Sequence, residues 1–290
     1  MTPLISFIIT YHNEPEALLR TCIESIQALP LAKDEAEIIV VDDGSSNQLI
    51  IKDEKLKIIR QEESGLSVAR NTGISQSRGR YIQFVDADDC LIPETYTAVL
   101  KQVRKERADI VMFRMTSKNR SNCQTDNCQL IKSQSFLLHH SLRAAACGYA
   151  FRRDILGNLR FYPGLFHEDE LFTPQLFLRA KSVCELNVKA YFYRQHDGTI
   201  THSNSPEKVQ KRLDNIHFII KELHSLDEKL LERRIRQLTV DYLQKTWTLT
   251  HSLRELHSRA SRLRAEGLLP LPLRRYSMRY LFIALISKFI

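Results

Sequence analysis

Two carboxylates two residues apart, Asp86 and Asp88, are the pair in this sequence best suited to bind a metal ion. They directly follow the apolar run from Tyr81 to Val85, which predicts a buried strand. Hard cations such as Mg²⁺ and Mn²⁺ prefer carboxylate oxygens, and the bound cation can hold the phosphates of a diphosphate. The alternative is that these residues only form a turn, with Asp89 capping a helix.

A second acidic cluster, Asp42 to Ser45, follows the apolar run from Glu37 to Val41. The carboxylate of Asp43 could accept the imide N–H of uracil or bind ribose hydroxyls, because an ionised carboxylate accepts hydrogen bonds. A tight turn that uses the backbone freedom of Gly44 is the alternative explanation.

Two further segments carry polar side chains that could contact a nucleotide. Thr10 and Tyr11 end the apolar run that begins at Leu4, and Arg70 lies in the second turn of a helix predicted from Leu66 to Ser77. A guanidinium at that position could reach a base or a phosphate, because helix N-termini attract anions.

The elements that must position these residues alternate between strand and helix. Strands are predicted at residues 4–10, 37–41, 56–59 and 81–85, and helices at residues 18–26 and 66–77. Such alternation favours an α/β fold with a mainly parallel central sheet and helices on both faces. Ligands of these sheets bind beyond the carboxyl ends of the strands. Three polar clusters would meet there: Thr10 to Asn13, Asp42 to Ser45 and Asp86 to Asp89.

The second half of the chain is less regular. A helix is predicted at residues 94–106, a strand at 109–113, a loop at 116–135 and a strongly charged helical region at 206–265. Residues 205–290 hold 17 Lys and Arg against 9 Asp and Glu, so they carry the whole net charge of +8. We therefore predict a catalytic domain at 1–204 and a basic helical extension at 205–290.

Composition favours an ordinary folded protein, since 43% of residues are hydrophobic and 26% are charged. The six cysteines lack CxxC spacing, which predicts reduced structural thiols, and the N-terminal apolar run reads as a strand and not as a secretory peptide. These features predict a cytoplasmic protein.

Five segments in register carry a family resemblance. The segments SFIITYHNE, EIIVVDDGS, SGLSVARNTGI, GRYIQFVDADD and HEDELF resemble glycosyltransferase family 2, whose catalytic domain has the GT-A fold. The resemblance extends from residue 4 to about residue 200. It implies a GT-A-type nucleotide-binding domain and an inverting, metal-dependent transfer of sugar from a nucleotide diphosphate, with a UDP-sugar as the expected donor.

The resemblance also implies roles for single residues. Asp43 would contact the base, Thr10, Tyr11 and Arg70 would line the nucleotide pocket, and Asp86 would lie near the ribose or the metal. Asp88 would be the direct ligand of Mn²⁺ or Mg²⁺.

The catalytic base implied by the family is the aspartate of the HED segment, which here is Asp169. An acceptor hydroxyl is a poor nucleophile, so a carboxylate must take its proton as the oxygen attacks the anomeric carbon. Glu168 is the alternative base. The competing explanation of the segment is an acidic helix N-terminus favoured by the helix dipole.

The segment from Tyr191 to Thr201 resembles the part of the family fold that closes over the donor. Arg194 could contact the diphosphate, and His196 could complete the metal site together with Asp88 and Asp86.

The last stretch, Tyr276 to Ile290, combines an apolar helical stripe with nearby arginines and a lysine. An interfacial helix on an anionic membrane surface would have this pattern, although the apolar run is shorter than the about 20 residues needed to span a bilayer. Packing of this helix on the protein core or on a second subunit is an equal alternative.

The function predicted from the sequence is a glycosyltransferase in bacterial surface-polysaccharide synthesis, acting on a glycan or a lipid-linked glycan. It would be cytoplasmic or peripheral to the inner face of the membrane. A nucleotidyltransferase of similar fold is the enzymatic alternative, but it would want a glycine-rich phosphate loop after the first strand. A nucleic-acid-binding protein is the alternative of another class, but no recognised nucleic-acid motif occurs, so no nucleic-acid partner is expected.

Overall fold

A computed structural model describes residues 2–51, 53, 55–118, 128–195 and 205–289. The chain divides into two compact units. The first comprises the described parts of Met1–Phe136 and Arg143–His196, and the second comprises those of Leu137–Leu142 and Asp197–Ile290.

The described strands of the first unit form one nine-stranded sheet in the order β3-β2-β1-β4-β8-β6-β9-β5, with β7 also paired to β9. The strands are β1 (Ile5–Tyr11), β2 (Ala36–Asp43), β3 (Leu56–Gln61), β4 (Tyr81–Asp86), β5 (Cys90–Leu91), β6 (Ile110–Thr116), β7 (Gln129–Lys132), β8 (Tyr149–Arg152) and β9 (Ser182–Phe192).

The half of the sheet formed by β3, β2, β1 and β4 is parallel throughout. Strand β1 is buried along its whole length, as expected for a near-continuous apolar strand covered on both faces. The α/β fold and the parallel half of its sheet therefore agree with the sequence prediction.

The other half of the sheet is mixed. Strand β8 pairs antiparallel with both β4 and β6, while β6 and β9 are parallel and β5 is antiparallel to β9. The sheet was predicted to be mainly parallel, and this holds for the half that precedes residue 87 but not for the whole sheet. Strand β8 has only four residues, too short a segment to show its pairing direction by periodicity.

The helices around the sheet are α1 (Glu16–Gln27), α2 (Leu66–Gln76), α3 (Pro93–Lys105), α4 (Ser133–His139) and α5 (Asp169–Arg179). Helix α1 buries Leu19, Cys22, Ile23 and Ile26, a spacing that places them on one face. On the other face of the sheet, Ala69 of α2 packs with Ile39 and Val41 of β2.

Helix α2 approaches β1 so closely that a Cβ at Gly73 would overlap Cγ2 of Ile8. We expect Gly73→Ala to lower the free energy of unfolding by at least about 1 kcal/mol, because overpacking outweighs the helix propensity of alanine. Denaturant unfolding measures the change. Ser75→Ala, at an exposed position of the same helix, is the control and should be near neutral. A Gly73→Ala variant as stable as the parent would contradict this close packing.

The predicted loop at residues 116–135 is wrong in its last part. Strand β7 pairs antiparallel with β9, and α4 begins at Ser133. The β7 residues are mostly exposed, so the strand shows no buried apolar pattern in the sequence. Cys128, which precedes β7, forms a disulfide with Cys184 of β9, whereas the sequence prediction was reduced thiols.

The second unit is helical, with α6 (Pro206–Leu226), α7 (Glu228–Thr250), α8 (Leu253–Ala265) and α9 (Met278–Ile286). Each begins after a residue whose side chain accepts a backbone N–H: Ser205, Asp227, Ser252 and Ser277. The predicted helical C-terminal region is confirmed. Within the described residues, none of the helices combines the length and the apolar character that crossing a bilayer requires.

Candidate functional site

The carboxyl ends of the parallel strands bring the three polar clusters together. In the sheet register Thr10 lies beside both Val41 and Asp86, and Tyr11 lies beside Asp42. Thr10 and Tyr11 are mostly buried, and the Tyr11 hydroxyl donates a hydrogen bond to the carbonyl oxygen of Glu14 at 2.8 Å. The sheet therefore assembles one polar edge from segments more than 70 residues apart.

The Asp43 carboxylate is held by three hydrogen bonds. It accepts from Nε2 of Gln61 at 2.7 Å, from the N–H of Ser64 at 2.9 Å and from the N–H of Gly65 at 2.7 Å. Two of these donors lie in the turn that begins α2, and Gly65 there has a φ of 89°, which favours glycine. Asp43 thus orders the start of α2, and its predicted contact with a base would use the remaining acceptor capacity.

A second set of hydrogen bonds joins the loops after β1 and β2. Nδ1 of His12 lies 2.7 Å from the carbonyl oxygen of Asp43, and the Asn13 side chain accepts the N–H of Ser46 at 2.8 Å. The buried Asp42 carboxylate accepts the N–H of Ser45 at 2.9 Å. These contacts hold the two loops at the polar edge in one arrangement.

Arg70 is a buried cation at the centre of the site, with 4% of its surface exposed. Its guanidinium donates to Glu168 and, at 3.1 Å, to Oδ1 of Asp86. The rings of Phe84 and Phe161 flank it at 5.8 and 5.3 Å. Arg70 therefore ties the end of β4 to the start of α5, and this burial leaves little of it to line a nucleotide pocket as predicted.

The charge balance around Arg70 also locates Asp169. Burial alone would lower the pKa of Arg70, but the negative charges of Asp86, Glu168 and Asp169 raise it instead. Asp169 is thus near enough to Arg70 to act on it electrostatically. Asp169 is half-buried, whereas Glu168 is buried and paired with Arg70.

The turn after β4 is linked to the end of β9. The N–H of Arg194 donates to Oδ1 of Asp89 at 2.7 Å, and Nε of Arg194 donates to the carbonyl oxygen of Asp88 at 2.9 Å. Burial, reinforced by the charge of Asp86, raises the pKa of Asp89 to about 8. The structure therefore brings Arg194 to the Asp86–Asp88 turn, as the diphosphate prediction requires.

The donor set suits a hard cation only in part. Asp86 and Asp88 offer carboxylate oxygens, but within the described ranges no group of three or more His, Cys, Asp or Glu could hold a metal ion. His196, the predicted third ligand, lies outside the described residues. A cation at Asp88 would therefore complete its coordination with phosphate oxygens and water.

Some contacts of the site were not predicted from the sequence. Gln61 binds Asp43, Glu14 accepts the N–H of His12 at 2.6 Å, and the hydroxyl of Tyr191 accepts the N–H of Asp86 at 3.1 Å. Tyr191 was predicted only as the start of the segment that closes over the donor, and its contact with Asp86, 105 residues earlier in the chain, was not predicted.

Two cavities lie away from this edge. They have volumes of about 370 and 540 Å³ and are lined by residues such as Arg80, Arg152 and Gly157, near the opposite end of β4. Neither is lined by the residues that the sequence and the sheet register single out.

Comparison with known proteins identifies the family. The sequence profile of glycosyl transferase family 2 matches residues 6–159, which is more than half of the chain. This chain belongs to glycosyltransferase family 2. The matched region contains all three polar clusters and Arg70, while the segment from Glu168 onward follows it.

Similar glycosyltransferases extend the match beyond that region. The uncharacterized glycosyltransferase EpsJ of Bacillus subtilis is 31% identical over 69% of this chain and 64% of EpsJ. Glycosyltransferase GlyG of Streptococcus pneumoniae is 24% identical over 84% of this chain and 89% of GlyG. The match thus covers just under two thirds of EpsJ.

A solved structure shows the same fold. The crystal structure of Staphylococcus aureus TarS in complex with UDP-GlcNAc superposes with a TM-score of 0.68 at 20% identity, covering 98% of this chain and 91% of that chain. A TarS complex with UDP superposes with a TM-score of 0.67. The GT-A fold predicted from the sequence is therefore confirmed, including a helical C-terminal region.

Proposed function

We propose that this chain transfers a sugar from a nucleotide diphosphate sugar to an acceptor hydroxyl with inversion at the anomeric carbon. The observation that carries the proposal is the meeting of Thr10, Asp43 and Asp86 at one sheet edge, with Asp169 at the start of α5 and near enough to Arg70 to raise its pKa. Family 2 membership supports the reaction class.

The donor we propose is a UDP-sugar. The support is the TarS fold, which has been solved with UDP-GlcNAc and with UDP. On this chain Asp43 would contact the base, and Thr10 and Tyr11 would line the nucleotide pocket. Because Arg70 is buried against two carboxylates, we assign it the positioning of Asp86 and Glu168 in preference to direct nucleotide contact.

The cofactor we propose is Mn²⁺ or Mg²⁺ held by Asp88, with Asp86 as a second ligand. A divalent cation there would neutralise the diphosphate that leaves as the glycosidic bond breaks. Arg194, which already contacts the backbone of Asp88, would add a second positive charge toward the leaving group.

The base we propose is Asp169. As the acceptor oxygen bonds to the anomeric carbon, its proton passes to the Asp169 carboxylate, and the bond to the diphosphate breaks with its electron pair on the leaving oxygen. Glu168 is the weaker choice because its carboxylate is buried in the ion pair with Arg70, whereas Asp169 keeps exposed surface.

The acceptor would be a glycan or lipid-linked glycan of a bacterial surface polysaccharide, in line with relatives such as TarS, named as a poly(ribitol-phosphate) β-N-acetylglucosaminyltransferase.

Ligand-dependent unfolding tests the donor site. We expect UDP or a UDP-sugar with Mn²⁺ to raise the unfolding temperature, because a ligand at 100 times its Kd stabilises the folded state by about 2.7 kcal/mol. Thermal scans with UDP, GDP, CDP and dTDP, each with Mn²⁺ or with EDTA, measure the shift. If none of the nucleotides raises the unfolding temperature in the presence of Mn²⁺, the proposal is wrong. If GDP alone raises it, the donor nucleotide is GDP and not UDP.

A further inference from the structure

Helix α9 has one face held against its own unit. Tyr280, Ala284 and Ser287 are buried, at a helical spacing of four and three residues. The Tyr280 hydroxyl donates to the carbonyl oxygen of Pro272 at 2.9 Å, and Oγ of Ser287 accepts the N–H of Leu271 at 3.0 Å. These contacts fix the rotation of the helix about its axis.

The opposite face of α9 and the turn after it present large apolar side chains to solvent. Met278 is 83% exposed, Phe282 64%, Leu285 51% and Phe289 83%. Their spacing of four, three and four residues makes one continuous stripe. A contiguous exposed stripe of this kind marks a surface that another phase or molecule covers.

The charged side chains of the segment that carries the stripe are all positive. Arg274, Arg275 and Lys288 are exposed, and no Asp or Glu occurs from residue 267 to residue 290. Arg279, the fourth cation, donates to Asp241 of α7 at 2.5 Å. Apolar side chains with cations next to them in the sequence match a partner surface that is apolar inside and anionic outside.

We propose that α9 docks this chain on an anionic lipid surface, with Met278, Phe282, Leu285 and Phe289 among the acyl chains. The basic side chains would then lie at the level of the lipid phosphates. A helix of nine residues is about 13 Å long, far less than the about 30 Å of the hydrocarbon core, so it lies in the plane of the interface. A two-fold contact with a second copy would instead bring the same basic patch against itself.

Co-sedimentation of the full chain with vesicles tests the proposal. We expect binding to vesicles of phosphatidylcholine with one third phosphatidylglycerol, weaker binding to phosphatidylcholine alone, and loss of binding at high salt. Replacing Met278 and Phe282 together with Ser should lower the partition coefficient about tenfold or more, because each side chain loses its burial in the lipid. Leu253→Ser is the matched control, since Leu253 is 68% exposed in the same unit.

Charge is tested separately. Replacing Arg274 and Arg275 with Glu should weaken binding to the anionic vesicles by at least about fivefold per cation removed, and Arg254→Glu, at another exposed arginine, should have a much smaller effect. Unchanged binding of the Met278→Ser/Phe282→Ser variant, or equal binding to both vesicle types, would overturn the proposal. So would a concentration-dependent dimer in sedimentation velocity that this variant abolishes, without any vesicle binding. All variants change exposed residues, so an unaltered unfolding temperature verifies their fold.

Discussion

Asp169→Asn is expected to lower kcat by about 10²- to 10⁴-fold while leaving donor affinity unchanged, because the amide cannot take the proton of the acceptor hydroxyl. The exchange keeps the size of the side chain, and Asp169 has the exposure that contact with an acceptor requires. Turnover with saturating donor, together with nucleotide binding by calorimetry, measures the two effects.

Two neighbouring variants make the Asp169 result specific. Glu170→Gln removes the same charge from the same helical turn and should leave kcat within a few-fold. Glu168→Gln should lower the stability of the fold by about 3 kcal/mol, because it leaves the buried Arg70 with one carboxylate fewer. Near-normal turnover of Asp169→Asn with strong loss in a folded Glu168→Gln would transfer the base role to Glu168.

Asp88→Asn is expected to weaken metal-dependent nucleotide binding by about a hundredfold or more. Mutation of groups that only orient a metal ligand already costs about 10- to 100-fold in metal affinity, so loss of a direct ligand should cost at least as much. Titration of UDP in the presence of Mn²⁺ and in EDTA separates the metal-dependent part. Asp34→Asn, at an exposed position before β2, is the matched control and should bind as the parent does.

The Asp88 result has a clear contrary outcome. If Asp88→Asn binds UDP with the same affinity and the same response to EDTA as the parent, Asp88 is not a metal ligand. Loss of binding that is equal with Mn²⁺ and in EDTA would assign Asp88 to the nucleotide and not to the cation.

The sequence by itself determined the positions of the polar clusters relative to the strands. Runs such as ISFIITY need apolar cover on both faces, which the central strands of a parallel sheet have, and in such a sheet the residues that follow the strands share one edge. Thr10, Asp42 and Asp86 meet at that edge, as predicted. The amphipathic stripe near residues 276–290 was equally legible, because helical periodicity is a local property.

Only the tertiary structure decided the partners of these residues. Arg70 was predicted to contact the ligand because it lies near the N-terminal end of its helix. In the structure it is buried against Glu168, which lies 98 residues later. Strand β8 inserts antiparallel beside β4, and the exposed strand β7 pairs with β9 without any apolar pattern. The sequence likewise did not determine which face of α9 points outward, and the burial of Tyr280 and Ser287 in the structure decides it. Periodicity reports whether a residue is buried, whereas its partner depends on how distant segments pack, and that information is not local to any stretch of the chain.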